Sequence, residues 1–371
     1  MAFDSVIGHD RAKGLLARAL SLQRLPPATL LVGPDGVGKR TLALAVARAA
    51  ICQAAGPAAC ESCSSCRRLA KAASSLPELR RHADQDPGEP VRRNYRLHPD
   101  VVLVEPWRTR VREDLKVEQV RDLVREISGP PFEARRRVFV VDGAHAMTEQ
   151  AANALLKALE EPPATSHVML VTASPQSLLP TIRSRCQMLR LGALPSTAIE
   201  AHLQGSLGVP VSEARLRARL SGGSLAQALA FESDAYRAQR DGLLALLESL
   251  PTMDMLQRLE AAESMRDSED LSSALTALRG LLRDVAALRG GAEVGGLQNA
   301  DVAPRLLAVA EGEMGTRAVE LADAVGRTRT ALRANANKLL ALDLLMDSLA
   351  LSQSRRAAPG ARELRPEPGL C

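Results

Sequence analysis

Aromatic side chains are nearly missing from this chain: its 371 residues hold one Trp, two Tyr and four Phe, 2% in all. Cores must therefore rest on Leu, Val and Ala, which favours helical packing, and 46% hydrophobic content is enough for two or three domains. Long apolar runs are missing too. No stretch of 18 or more apolar residues occurs, and the opening MAFDSVIGHDRAKG has no apolar signal core, so the expected location is the cytoplasm with no membrane partner. Lysine is scarce: Arg outnumbers Lys 42 to 6 within a net charge of +5, a compositional bias as much as a nucleic-acid footprint.

Two further absences concern chemistry. Leu30–Ala50 reads LLVGPDGVGKRTLALAVARAA, a strand, a glycine-rich turn with one lysine, and an alanine-rich helix. Gly33, Gly36 and Gly38 let the backbone aim its amides at phosphate oxygens, and Lys39 adds charge at the helix N-terminus. The pattern demands Ser or Thr directly after the lysine to hold magnesium; Arg40 stands there, with Thr41 one place late. The strand Arg137–Val141 ends in Asp142, a metal-side carboxylate by position, but Gly143 follows where a water-polarising glutamate is needed. The loop is built to hold something, with nucleotide binding expected to be weak or absent and hydrolysis unsupported.

Cysteine, by contrast, is concentrated. Cys52, Cys60, Cys63 and Cys66 have the spacing C-x7-C-x2-C-x2-C, which in a reducing compartment reads as a structural zinc site of four thiolates. Chance clustering or a redox pair is the competing reading. Cys186 and Cys371 stand apart from it.

Apolar runs at Leu30–Val32, Val101–Val104, Val138–Val141, Val168–Val171 and Met188–Leu191 alternate with helical stretches, which predicts an α/β fold with a five-stranded parallel sheet. Val117, Val120, Leu123, Val124 and Ile127 form one crossover helix before Pro130-Pro131; Thr148 to Leu159 forms another before Pro162-Pro163. Residues 72–97, rich in Arg, Asp and Pro, are expected to be a mobile surface insertion. Residues 1–195 are expected to form the sheet domain and 196–237 a small helical lid. A helical bundle follows over 238–351, broken near Gly290–Gly296, and 352–371 is expected to be a disordered tail.

The order of phosphate loop, four cysteines, Asp142 strand, Asn153-Ala154-Leu155-Leu156-Lys157-Ala158-Leu159-Glu160-Glu161-Pro162-Pro163 and Leu179-Pro180-Thr181-Ile182-Arg183-Ser184-Arg185-Cys186-Gln187 resembles the bacterial clamp-loader branch of the AAA+ ATPases. The specific motifs cover about residues 4–230, and the departures Arg40, Gly143 and Ala226 make the chain most similar to the non-hydrolysing delta-prime subunits of DNA polymerase III. The resemblance implies a P-loop domain, lid and oligomerising collar, and a hetero-oligomer with gamma/tau motor subunits, a delta subunit, the sliding clamp and primed DNA. It implies that Arg185 is an arginine finger acting on a neighbour's ATP. Two other readings stay open: an active gamma/tau-like motor with Thr41 sliding into the magnesium position, and a zinc-containing DNA-binding adaptor.

Overall fold

The computed structural model describes residues 3, 5–54, 56–85, 93–108, 113–266, 271–333 and 336–350, so the expected tail 352–371 lies outside the described residues. The chain divides into two compact units, Met1–Phe231 and the residues from Glu232 onward.

The first unit runs α1 (Asp10–Ser21), β1 (Ala28–Val32), α2 (Lys39–Ala50), α3 (Ser64–Ser74), α4 (Leu76–Gln85), β2 (Asn94–His98), β3 (Val101–Val104), the short β4 (Trp107–Arg108) and β5 (Glu113–Asp114), and α5 (Val117–Ile127). It continues with β6 (Arg137–Val141), α6 (Glu149–Glu160), β7 (Ser166–Thr172), α7 (Pro180–Arg185), β8 (Gln187–Arg190), and the helices α8 (Ser196–Leu207), α9 (Val211–Leu220) and α10 (Leu225–Ala230). Six strands form one sheet in the order β2-β3-β6-β7-β1-β8, and β4 pairs with β5 separately.

Every pairing in the large sheet is parallel except β2 with β3. The expected five parallel strands are all present, and the sixth is an antiparallel edge strand. It comes from the stretch read as a mobile insertion, which also contributes α4; only 86–92 of it lies outside the described residues. Sequence reasoning missed β2 because Asn94-Tyr95-Arg96-Leu97-His98 has just two apolar residues, Tyr95 and Leu97, which are buried while Arg96 is exposed.

The central strands are buried on both faces, as crossover helices require. Leu31, Val140 and Val171 face the core shared with α1 and α2, while Leu30, Phe139 and Leu170 face the one shared with α5 and α6. On α5, Val120, Leu123 and Ile127 are buried at helical spacing; on α6, Ala151, Leu155 and Leu159 do the same. β1 lies between β7 and β8, so the turn leaving it opens at the carboxyl ends of three parallel strands.

The second unit is helical: α11 (Ser233–Ser249), α12 (Met255–Arg266), α13 (Leu271–Arg289), α14 (Ala303–Glu311), α15 (Glu313–Arg333) and α16 (Lys338–Ala350). The boundary read between 237 and 238 falls inside α11, because Tyr236, Arg240, Leu243, Leu244 and Leu247 carry one buried stripe through it. Among the described residues no helix is long and apolar enough to cross a membrane.

Candidate nucleotide cleft and cysteine cluster

The glycines of the loop after β1 are needed for two reasons. A Cβ on Gly33 would lie 2.2 Å from the Leu191 carbonyl oxygen, so only glycine lets the loop pass the chain leaving β8. Gly36 (φ 75°) and Gly38 (φ 98°) take the left-handed conformation that turns the chain into α2. The Lys39 ammonium is buried over the loop and donates to the carbonyl oxygens of Gly33 at 2.7 Å and Pro34 at 2.6 Å, with Asp35 Oδ1 3.4 Å away. From the other side α10 seats on the loop: the Ala226 amide donates to Gly36 O at 3.2 Å, and Ser224 caps that helix by accepting from Gln227 N.

Arg40 and Asp142 meet although 102 residues separate them, Arg40 NH1 standing 3.4 Å from Asp142 Oδ2. Glu105 joins them at 3.2 Å and is in turn gripped by Arg80 of α4, whose Nε donates to Glu105 Oε2 at 2.8 Å. Arg80 is held above its ordinary pKa first by that hydrogen bond. Burial pushes the Asp142 carboxyl above the usual carboxylate range, with Glu105 adding to the effect and Arg40 opposing it. Gly143 has φ 67°, and a Cβ there would come within 2.7 Å of Pro106 Cγ. These groups wall a cleft of about 810 Å³ with Thr41, His145, Thr172 and Leu229.

Glu105, Arg80 and Thr172 were not read from the sequence as site residues. Glu105 carried a usable signal, an acid directly after the buried run Val101–Val104; Arg80 carried none, because α4 brings it in from the supposed insertion.

The four clustered cysteines also converge. The Sγ atoms of Cys52, Cys60, Cys63 and Cys66 all lie within 4.8 Å of one another, close enough to share one ion. Cys52 lies just past α2, and Cys63 caps α3 by accepting from the Cys66 amide at 3.4 Å. Amides of Cys60 and Cys63 point at the sulfurs of Cys52 and Cys60, 3.2 and 3.3 Å away. Hydrogen bonds from Ser62, then from backbone amides, draw the Cys60 thiol down to about 6, whereas burial pushes Cys66 up to about 12. Four thiols in this arrangement fit a tetrahedral metal, whose sulfur ligands lie at about 2.3 Å.

Arg185 sits at the end of α7. Ile182 and Cys186 are buried and anchor that short helix, so Arg185 projects outward. Its side chain is 35% exposed, with the guanidinium 2.8 Å from Glu160 Oε1 and donating to Thr181 O at 3.0 Å.

A doubly covered parallel sheet, a glycine loop and lysine on a central strand, an acid ending the β6 strand and a helical cap over the loop define a P-loop domain of the AAA+ class. A family described as DNA polymerase III, delta subunit matches residues 8–195, just over half of the chain, and the protein belongs to that family. It is 32% identical over 243 residues to DNA polymerase III subunit delta' of Bacillus subtilis, a match covering 65% of each chain. The delta' subunit of Pseudomonas aeruginosa is 34% identical over 216 residues, 57% of this chain and 58% of that one. The tau subunit of Salmonella typhimurium is 32% identical over 275 residues, covering 72% of this chain but 38% of its own. The chain thus spans less than two thirds of the length of these relatives.

Proposed function

We propose that this chain is a delta-prime-like clamp-loader subunit that does not hydrolyse ATP but completes the active site of a neighbouring motor subunit. The observation that carries this reading is the pairing of Arg40 with both Glu105 and Asp142, which places a guanidinium where metal-dependent relatives need a hydroxyl and a magnesium ion. The residues present do not fit magnesium, and no carboxylate follows Asp142 to polarise a water.

Arg185 supplies what the chain can give away. It is exposed, and the pair it makes with Glu160 is of a surface type worth about 0–1 kcal/mol, so a neighbour's phosphate can outcompete it. A guanidinium on the transferred phosphoryl group offsets its developing charge and is worth about 10³–10⁵ in rate. Gamma/tau and delta subunits are the proposed partners in the ring, with the sliding clamp and primed DNA as what the assembled complex acts on. Helices α8–α10 serve as the lid, and the helices from α11 onward as the collar. Cys52, Cys60, Cys63 and Cys66 would hold zinc and stabilise the start of α3.

The test is reconstitution with wild-type motor subunits. The isolated chain should show no turnover above background, while Arg185→Ala should fold and assemble normally yet slow the DNA-stimulated ATPase of the whole complex at least about tenfold. Lysine should rescue only in part, since a point charge does not reproduce the planar fork. Hydrolysis by the chain alone, or an unchanged complex with the alanine variant, overturns the reading.

A further inference from the structure

In this cleft the metal half and the phosphate half have separated. Glu105 is 8% exposed, and both of its oxygens are engaged by Arg80 and Arg40. Magnesium requires near-octahedral oxygen ligands at about 2.0–2.1 Å, so the ion would have to displace guanidinium groups that stay charged at any ordinary pH.

The phosphate half is intact. An ammonium has three donors; Lys39 commits two of them to Gly33 O and Pro34 O and has only the exposed Asp35, 3.4 Å off, for the third. Arg40 is 42% exposed, so part of its five-donor fork faces the cleft rather than the acids. Arg80 and Arg93 line the same space.

We propose that this cleft binds the polyphosphate chain of a nucleotide as a metal-free anion, with Arg40 as a fixed counter-cation in place of magnesium and Arg80 positioning it through Glu105. Two acids that would otherwise face a divalent ion are neutralised in advance, and the same guanidinium offers charge-assisted donors to phosphate oxygens. The proposal rests on reading the cleft as one without metal chemistry. Its test is equilibrium binding, which succeeds or fails independently of whether Arg185 assists a neighbour.

ADP is titrated into the full chain in EDTA and again in excess magnesium, by calorimetry and by the fluorescence of Trp107, the single tryptophan, which lies under the cleft residue Arg93 with the guanidinium 5.4 Å from the ring centroid. Affinity in EDTA should equal or exceed that in magnesium, and inorganic pyrophosphate should displace ADP. Arg40→Thr should lose about tenfold in EDTA and gain a magnesium dependence, Arg40→Lys should fall between, and thermal melts should show both folded. No ADP binding in EDTA, a tenfold tightening by magnesium, indifference to pyrophosphate, or an Arg40→Thr variant with unchanged affinity in EDTA would each overturn the proposal.

Discussion

Gly143 is where the proposed absence of hydrolysis can be tested at one residue. A glutamate placed there meets a left-handed backbone that side chains resist and the Pro106 ring at 2.7 Å from its Cβ. Gly143→Glu is expected to cost about 1–3 kcal/mol, read as a lowered urea midpoint, without creating turnover, because Arg40 still fills the metal position. Measurable ATPase in that variant would show that Arg40 does not bar metal chemistry in this cleft. His167 belongs to the same scale. It is fully buried in β7 with its Nδ1 on Pro26 O, and burial lowers its pKa to about 4. His98 is shifted the same way by burial, against the pull of Glu133 and Asp100. For His167 the unfolded chain therefore takes up protons first: this stability is whole above about pH 6.5 and is lost as pH falls toward 4, at up to about 1.4 kcal/mol per unit, and His98 acts in the same direction. An NMR titration should find His167 neutral down to about pH 4, and a midpoint near 6.5 would contradict its burial.

Among elements, α3 is the piece that most needs outside support. It begins at the cysteine cluster, and its Arg68 NH1 donates to Glu133 Oε1 at 2.8 Å. The same oxygen lies 2.7 Å from His98 Nε2, and because His98 Nδ1 accepts from the Asp100 amide, Nε2 carries the proton of the neutral ring. A metal at the cysteines would thus fix one end of a helix whose next turn is tied to the sheet edge. Cys63→Ser separates the two effects, since serine is a good helix cap but a poor zinc ligand. Metal analysis should find one zinc per wild-type chain and none in the variant, with faster hydrogen exchange over 60–68 and an unchanged sheet. Apparent binding free energies of about 10–16 kcal/mol in zinc peptides indicate how much local order such a site can supply. Wild-type protein purified without chelator and carrying no metal would count against the assignment.

For the molecule as a whole, the informative surface is in the second unit. Met255, Leu256 and Leu259 on α12 and Leu340 and Leu344 on α16 are 43–79% exposed, on two helices that pack together. Under the proposed function, a collar meeting partner subunits would give such residues a place to be buried, each leucine contributing about 1.5–3 kcal/mol when covered. Leu256→Glu with Leu344→Glu should therefore leave the chain folded by circular dichroism and drop it from the reconstituted complex in size-exclusion chromatography. Normal co-elution would remove these residues from the assembly surface.

Much of this protein is written locally and so was legible in the sequence. The glycine loop is one turn long, the cysteines fall within fifteen residues, and the buried strands announce themselves as unbroken runs of Val and Leu because both of their faces are covered. Those features determined the fold class, the position of the phosphate loop and the grouping of the thiols. What Arg40 does, in contrast, depends on Glu105 and Asp142, 65 and 102 residues away, and on an Arg80 delivered by a helix where a loose insertion was expected. The outward pose of Arg185, its tether to Glu160 and the antiparallel strand at the sheet edge are of the same kind. Only the tertiary structure decided them, because ion pairs and edge pairing depend on which distant segments the core brings together, and no local periodicity records that.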